Sequence, residues 1–203
     1  MPQEKAIFDL LHQYKELVGN NSRCKALDLY GLNPYDLAVS TEQGDRKALR
    51  SVAITLLKGD GVRKDVENAT ELFYRLQTSH TGEEDLVSQY YYSKILCTRD
   101  DYSRGLKLNE ELMQKGYAPA FVLRGNLYER GLCGLEVSIE KANEHYFQAY
   151  KKNHIQGGLL FAKILLKEGR PTDKVKAIYV FIKISCISIF SKSAQPSAEC
   201  DTL

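Results

Sequence analysis

Apolar positions recur along this chain on two scales, within helices and again from one helix pair to the next. Ala69, Gly105, Ala142 and Ala177 are small residues separated by steps of 36, 37 and 35. Each is followed by apolar residues three or four and then seven positions on. These are Leu72, Phe73 and Leu76; Leu108 and Leu112; Tyr146 and Ala149; and Val180, Phe181 and Ile184. That spacing is one face of a helix, and it predicts "B" helices near 65–79, 102–115, 138–152 and 173–190. A second series of small residues, Ala53, Ser93, Gly125 and Ala162, steps by 40, 32 and 37. Leu56, Leu96, Tyr128 and Leu165 follow three residues later, and these mark "A" helices that alternate with the B helices.

The punctuation between helices repeats as well. "GDGV" follows the first A helix and "GLCG" the third. Gly59 and Gly131 stand just past these A helices, where a left-handed backbone ends a helix and Gly adopts it without steric cost. Asp65 and Ser138 then stand where a side-chain acceptor caps the next helix, and Asp100 or Asp101 does so in the second copy, which lacks the Gly pair. Small residues at one height on every helix let the axes approach toward the close end of the usual 8–10 Å range. Upstream, Asn33 and Pro34 open a further B helix near 34–43, Gly44 ends it, and the next A helix begins near Asp45. Residues 1–20 read as an amphipathic opening helix, 21–190 as the repeat array, and 191–203, small and polar, as a flexible tail.

These positions predict an all-α solenoid of antiparallel helix pairs. Their pattern resembles the Sel-one-like repeats, α/α relatives of the tetratricopeptide repeat. The residues that carry the resemblance are "AxxxxAxxLxxGDGVxxDxxxA" at 48–69 and "AxxxRGxxYxxGxxGxxxxxxKA" at 120–142. "EQGDRKA" at 42–48 is similar to the junction between repeats, while the second and fourth copies are degenerate. The resemblance covers about residues 33–188. It implies a right-handed superhelix used as an interaction scaffold or adaptor. Some members of the family are periplasmic or secreted with paired cysteines, a pattern this chain does not have.

Bulk composition narrows the partner. The 203 residues carry a net charge of +2, with 28 Lys and Arg against 26 Asp and Glu, so no basic stripe points to nucleic acid. The N-terminal segment, interrupted by Glu4, Asp9, His12 and Lys15, does not read as a secretory signal. The most apolar window, 178–190, is short and contains Lys183, so no membrane span is expected. Five cysteines without paired spacing suggest reduced thiols and a cytoplasmic protein.

No motif of catalysis stands out. Cys133, His145 and His154 are the nearest Cys/His grouping, and they lack metal-ligand spacing, so neither metal nor cofactor is expected. Cys97 and Cys133 are not at helix starts, where a thiol is activated. "GDGVRKD" follows a helix and is not a phosphate loop. The candidate chemistry is therefore recognition of a protein or peptide. In helix-hairpin solenoids the A helices line the concave face. Counting from the small A positions gives a strip of Arg50, Ile54, Tyr90, Lys94, Val122, Asn126, Leu159 and Lys163. In "SQYYYSKIL" (88–96), Tyr90 and Tyr91 are expected to face outward, and Tyr is enriched in binding hot spots. The partner-binding set is Arg50, Tyr90, Tyr91, Lys94, Val122, Asn126 and Lys163. The last B helix, apolar almost all round, is a candidate self-association surface over 175–190. The expected function is a non-catalytic scaffold. The alternatives are a secretion-associated bacterial effector, an immunity factor, an enzyme-regulating subunit or a helical enzyme.

Overall fold

A computed structural model describes residues 45–59, 63–78, 85–99, 101–168 and 170–192. The expected elements at 1–20 and 34–43 and nearly all of the tail lie outside these residues. The described residues form eight helices and no strand. They are α1 (Arg46–Lys58), α2 (Val66–Thr78), α3 (Leu86–Thr98), α4 (Tyr102–Gln114), α5 (Ala118–Arg130), α6 (Ile139–Lys151), α7 (Ile155–Glu168) and α8 (Pro171–Lys192). The chain divides into two compact units, Met1–Gln89 and Tyr90–Leu203, and the division falls inside α3.

In the first unit α1 packs against α2. Asp45 caps α1 by accepting the Lys47 N–H at 2.8 Å, and Gly59 ends it at φ 74°, donating its N–H to Thr55 O. Asp65 accepts the Asn68 N–H at 3.0 Å and so caps α2. Ala53 and Ala69, the small positions of this pair, are both fully buried, among Val52, Leu56, Leu72, Phe73 and Leu76.

In the second unit the same design recurs. Gly131 ends α5 at φ 64°, and Ser138 caps α6 by accepting the Lys141 N–H at 3.2 Å. Ser93, Gly105, Gly125, Ala142, Ala162 and Ala177 are all buried. Their smallness is used directly. A Cβ on Gly105 would stand 2.7 Å from Cys97 Sγ, and one on Gly125 would run into the Tyr146 ring. Ser93 donates its hydroxyl to Gly105 O at 3.0 Å, so the buried polar group at that crossing is satisfied.

One expectation needs correction. Asp101 is the N-cap residue of α4, but its side chain accepts no helix N–H; its carboxylate instead pairs with Arg104 at 3.2 Å. The backbone there, φ −92° and ψ 53°, is not the extended form that aims a cap side chain at the first turn. The last helix, expected near 173–190, begins at Pro171, whose fixed φ suits a first helical position, and runs to Lys192.

Candidate binding surface

The residues expected to form a binding strip belong to both units, and several of them are engaged in packing or capping. Arg50 lies in the first unit and donates to Asp85 Oδ1 at 2.8 Å. Asp85 also accepts the Ser88 N–H at 3.0 Å and the Ser88 hydroxyl at 2.8 Å, capping the start of α3. Burial alone would raise the Asp85 carboxyl, but the Ser88 hydrogen bonds and the Arg50 cation hold it below the usual carboxylate range. Arg50 is thus a brace on a helix start. Ile54, on the same helix, is buried.

In the second unit, Tyr90, Tyr91 and Val122 are 9%, 4% and 3% exposed, which overturns the expectation that the two tyrosines face outward. The reason is that α3 buries nearly its whole circumference: from Tyr90 to Cys97 only Lys94 is even half-exposed. Tyr90 meets Tyr91 and Tyr117 edge-on, at 5.4 and 5.9 Å between ring centroids. Asn126 on α5 is also engaged. The Tyr146 hydroxyl lies 2.7 Å from Asn126 Oδ1 and 2.6 Å from Glu129 Oε2, and its one proton is shared between them. Burial, followed by the hydrogen bond and charge of Glu129, pushes the Tyr146 phenol well above its ordinary pKa. Lys163 and Leu159, on α7, are exposed.

A solvent-facing groove of about 520 Å³ opens elsewhere, between the B helices α4 and α6 and over Phe121 of α5. Its walls are Glu110, Met113 and Gln114 on one side and Glu144, His145, Phe147 and Gln148 on the other. Two cations sit against the aromatic rings that line it: Lys152 Nζ is 5.6 Å from the Phe121 ring centroid and Lys151 Nζ 5.1 Å from that of Phe147. His145 stacks on Tyr128 at 5.6 Å. Burial, helped by the Arg124 cation and opposed by Glu110, lowers its pKa, so the imidazole is neutral at pH 7. Arg124 pairs with Glu110 at 3.3 Å while also donating to Asn109 Oδ1 and Leu106 O. An apolar floor, a neutral imidazole, two amides and two carboxylates suit side-chain recognition.

None of the seven expected residues lines this groove, because they belong to the A helices α1, α3, α5 and α7, and the groove opens between two B helices. The available signal was Phe147, an aromatic one residue off the buried stripe of α6 and 38% exposed. Among the described residues, no three His, Cys, Asp or Glu side chains converge as a metal ion would require. No helix there is long and apolar enough to cross a membrane.

Comparison with known proteins places the fold. No family model matches the chain, and no curated protein matches it by sequence. Among solved structures it is similar to a Sel1 repeat protein from Oxalobacter formigenes, at a TM-score of 0.56 and 16% identity, over 79% of this chain and 68% of that one. It is also similar to c5321, a protective antigen of uropathogenic Escherichia coli strains that displays the same repeat fold. That match has a TM-score of 0.55 and 17% identity and covers 88% of this chain but 37% of the antigen. The chain is an all-α helical-repeat protein with the Sel1-like repeat fold.

Proposed function

We propose that the protein is a non-catalytic cytoplasmic scaffold that binds a protein or peptide partner through a solvent-facing surface of its helical repeats. The observation that carries this reading is the division of labour among side chains. The repeated residues are spent on packing, while the groove between α4 and α6 gathers aromatic, amide and carboxylate groups that the repeat does not require. Lys163 is exposed and Lys94 half-exposed, and these two residues of the expected A-helix strip offer a second place for contact. Affinity purification with quantitative mass spectrometry tests the proposal, using the intact chain, Glu144→Lys in the groove and Lys163→Glu on α7. A partner lost with Glu144→Lys places binding in the groove, and one lost only with Lys163→Glu places it on the A helices. A chain that enriches nothing overturns the scaffold reading.

Self-association has its own support. Val175, Ile178, Tyr179, Ile182 and Ile189 of α8 are each 56–68% exposed. Of the two lysines within this stretch, Lys183 is turned inward with Nζ 4.8 Å from the Tyr150 ring centroid, while Lys176 is exposed and pairs with Asp173 at 3.3 Å. An exposed apolar stripe of this length is complementary to itself, so we propose the α8 of a second copy as its occupant. Sedimentation that finds only monomer at high concentration removes this proposal.

A further inference from the structure

Cys97 is the next-to-last residue of α3. Cys133 lies 36 residues further on, in the turn that joins α5 to α6. Both belong to the second unit, and both are buried, at 5% and 7% exposure. The Cys133 thiol donates to the Cys97 carbonyl oxygen at 3.0 Å. The two thiols also interact with one another. Burial, then the neighbouring Cys133, pushes the Cys97 thiol up to about 12; burial raises Cys133 as well, and the Arg124 cation acts on both in the opposite direction. Cys133 has φ 58°, a left-handed backbone, between Gly131 at 64° and Gly134 at 72°. Gly or Asn takes that conformation with less strain. What a cysteine adds at this point of the turn is a sulfur directed at Cys97.

We propose that Cys97 and Cys133 form a reversible disulfide between neighbouring repeats, by exchange with a small-molecule disulfide of the glutathione type. Cys133, in the surface turn, reacts first when the turn opens. It loses its proton, and its thiolate attacks one sulfur of the external disulfide. The external S–S bond breaks, one small-molecule thiolate leaves, and a mixed disulfide remains on Cys133. The Cys97 thiolate then attacks Cys133 Sγ and expels the second small-molecule thiolate. The two protons from the protein thiols end on the two released thiols. The protein is oxidised by two electrons, and the external disulfide is reduced by two. The new bond closes a loop containing α4 and α5, so it ties the end of α3 to the α5–α6 turn and places one wall of the α4–α6 groove, and Phe121 at its floor, inside the loop.

The test uses the full wild-type chain, equilibrated in buffers of rising oxidised-to-reduced glutathione ratio, alkylated and digested with trypsin. The expected product joins the peptide 95–99 ("ILCTR") to the peptide 131–141 ("GLCGLEVSIEK"). It accumulates with the ratio and disappears with dithiothreitol. Because a loop of this length constrains the unfolded chain strongly, the oxidised protein is expected to melt roughly 5–10 °C higher than the reduced one. Cys133→Ser, checked for native helicity, abolishes both the linked peptide and the redox-dependent shift. The proposal is overturned if both peptides stay alkylated while the exposed Cys186 oxidises, if Cys133 stops at a glutathione adduct, or if the linkage forms only between chains.

Discussion

Helices α6 and α8 hold the same place in successive repeats, with Ala142 and Ala177 at matching, fully buried positions, yet their surroundings differ. α6 lies between two partners. Tyr146 and Ala149 pack with Val122 of α5 and are flanked by Leu160, Phe161 and Ile164 of α7. α8 buries Ala177, Val180 and Ile184 against α7 and leaves five large apolar side chains in solvent. By sequence α8 is the more apolar of the two. What buries a helix in a repeat protein is therefore the presence of neighbours on both sides, and hydrophobicity alone does not report it.

The largest expected contrast comes from truncating one side chain on each helix. Tyr146→Ala removes a ring with no exposed surface and is expected to cost about 3–5 kcal/mol of stability. Ile182→Ala on α8 is expected to fall within about 0.5 kcal/mol at concentrations where the chain is monomeric. Denaturant melts of both variants measure the gap, and equal losses would mean that α8 is covered in solution.

Two adjacent glycines of α7 sharpen the comparison, because Gly157 meets α6 alone while Gly158 also meets α8. A Cβ on Gly157 meets Ala149 of α6, with Ala149 and Tyr150 backbone atoms behind it at 3.4 Å. A Cβ on Gly158 meets the flexible end of Ile184 on α8, at 2.5 Å, and the Tyr150 ring at 3.0 Å. Gly157→Ala is expected to destabilise by about 1–3 kcal/mol through overpacking. Gly158→Ala is expected to be near neutral, since Ile184 can turn aside and Ala favours helix by about 1 kcal/mol. Thermal melts that reverse this order would break the assigned facing.

A smaller effect is expected from pH. His154 Nδ1 accepts the Gly157 N–H at 3.1 Å and so caps α7, the helix that covers α6. Burial lowers the His154 pKa from 6.5, so the fold favours the neutral ring. The unfolded chain then binds the proton more readily. The cap's contribution is complete above pH 6.5 and is lost as pH falls from there through the lowered folded value. About 1 kcal/mol is expected to disappear with the cap. His145, lowered for the same reason, adds to the loss with the same sign. His154→Ser, which keeps an acceptor that does not titrate, should flatten part of the stability profile between pH 7.5 and pH 5. The smallest effect on the stability of the monomer, within about 0.5 kcal/mol, is expected for Ile182→Glu, which should abolish any α8-mediated dimer in sedimentation.

What the sequence made legible was local. Ala53, Ser93, Ala142 and their counterparts sit at helix crossings because a small residue at fixed phase has few other uses. Gly59, Gly131, Asp65 and Ser138 act within a few residues of their own position, so spacing alone identified them. The facing of Tyr90 and Tyr91 was not legible. Periodicity separates a packed face from a solvated one only when a helix has both, and α3 buries nearly all of its circumference. The α4–α6 groove was missed for a related reason, since its two walls are about thirty residues apart and meet only after the hairpins stack. Cys97 and Cys133 share that difficulty, as one ends a helix and the other occupies a turn.

Tyr146 also makes the hairpin α5–α6 readable by light. The chain has 13 tyrosines and no tryptophan, so its near-ultraviolet absorption and emission come from phenol rings without an indole background. Burial and the Glu129 contact make the Tyr146 phenol resist ionisation. In an alkaline titration its tyrosinate band should appear late, and only as the hairpin comes apart. Gly125, which leaves room for the ring, thereby also sets the depth at which this built-in chromophore is shielded.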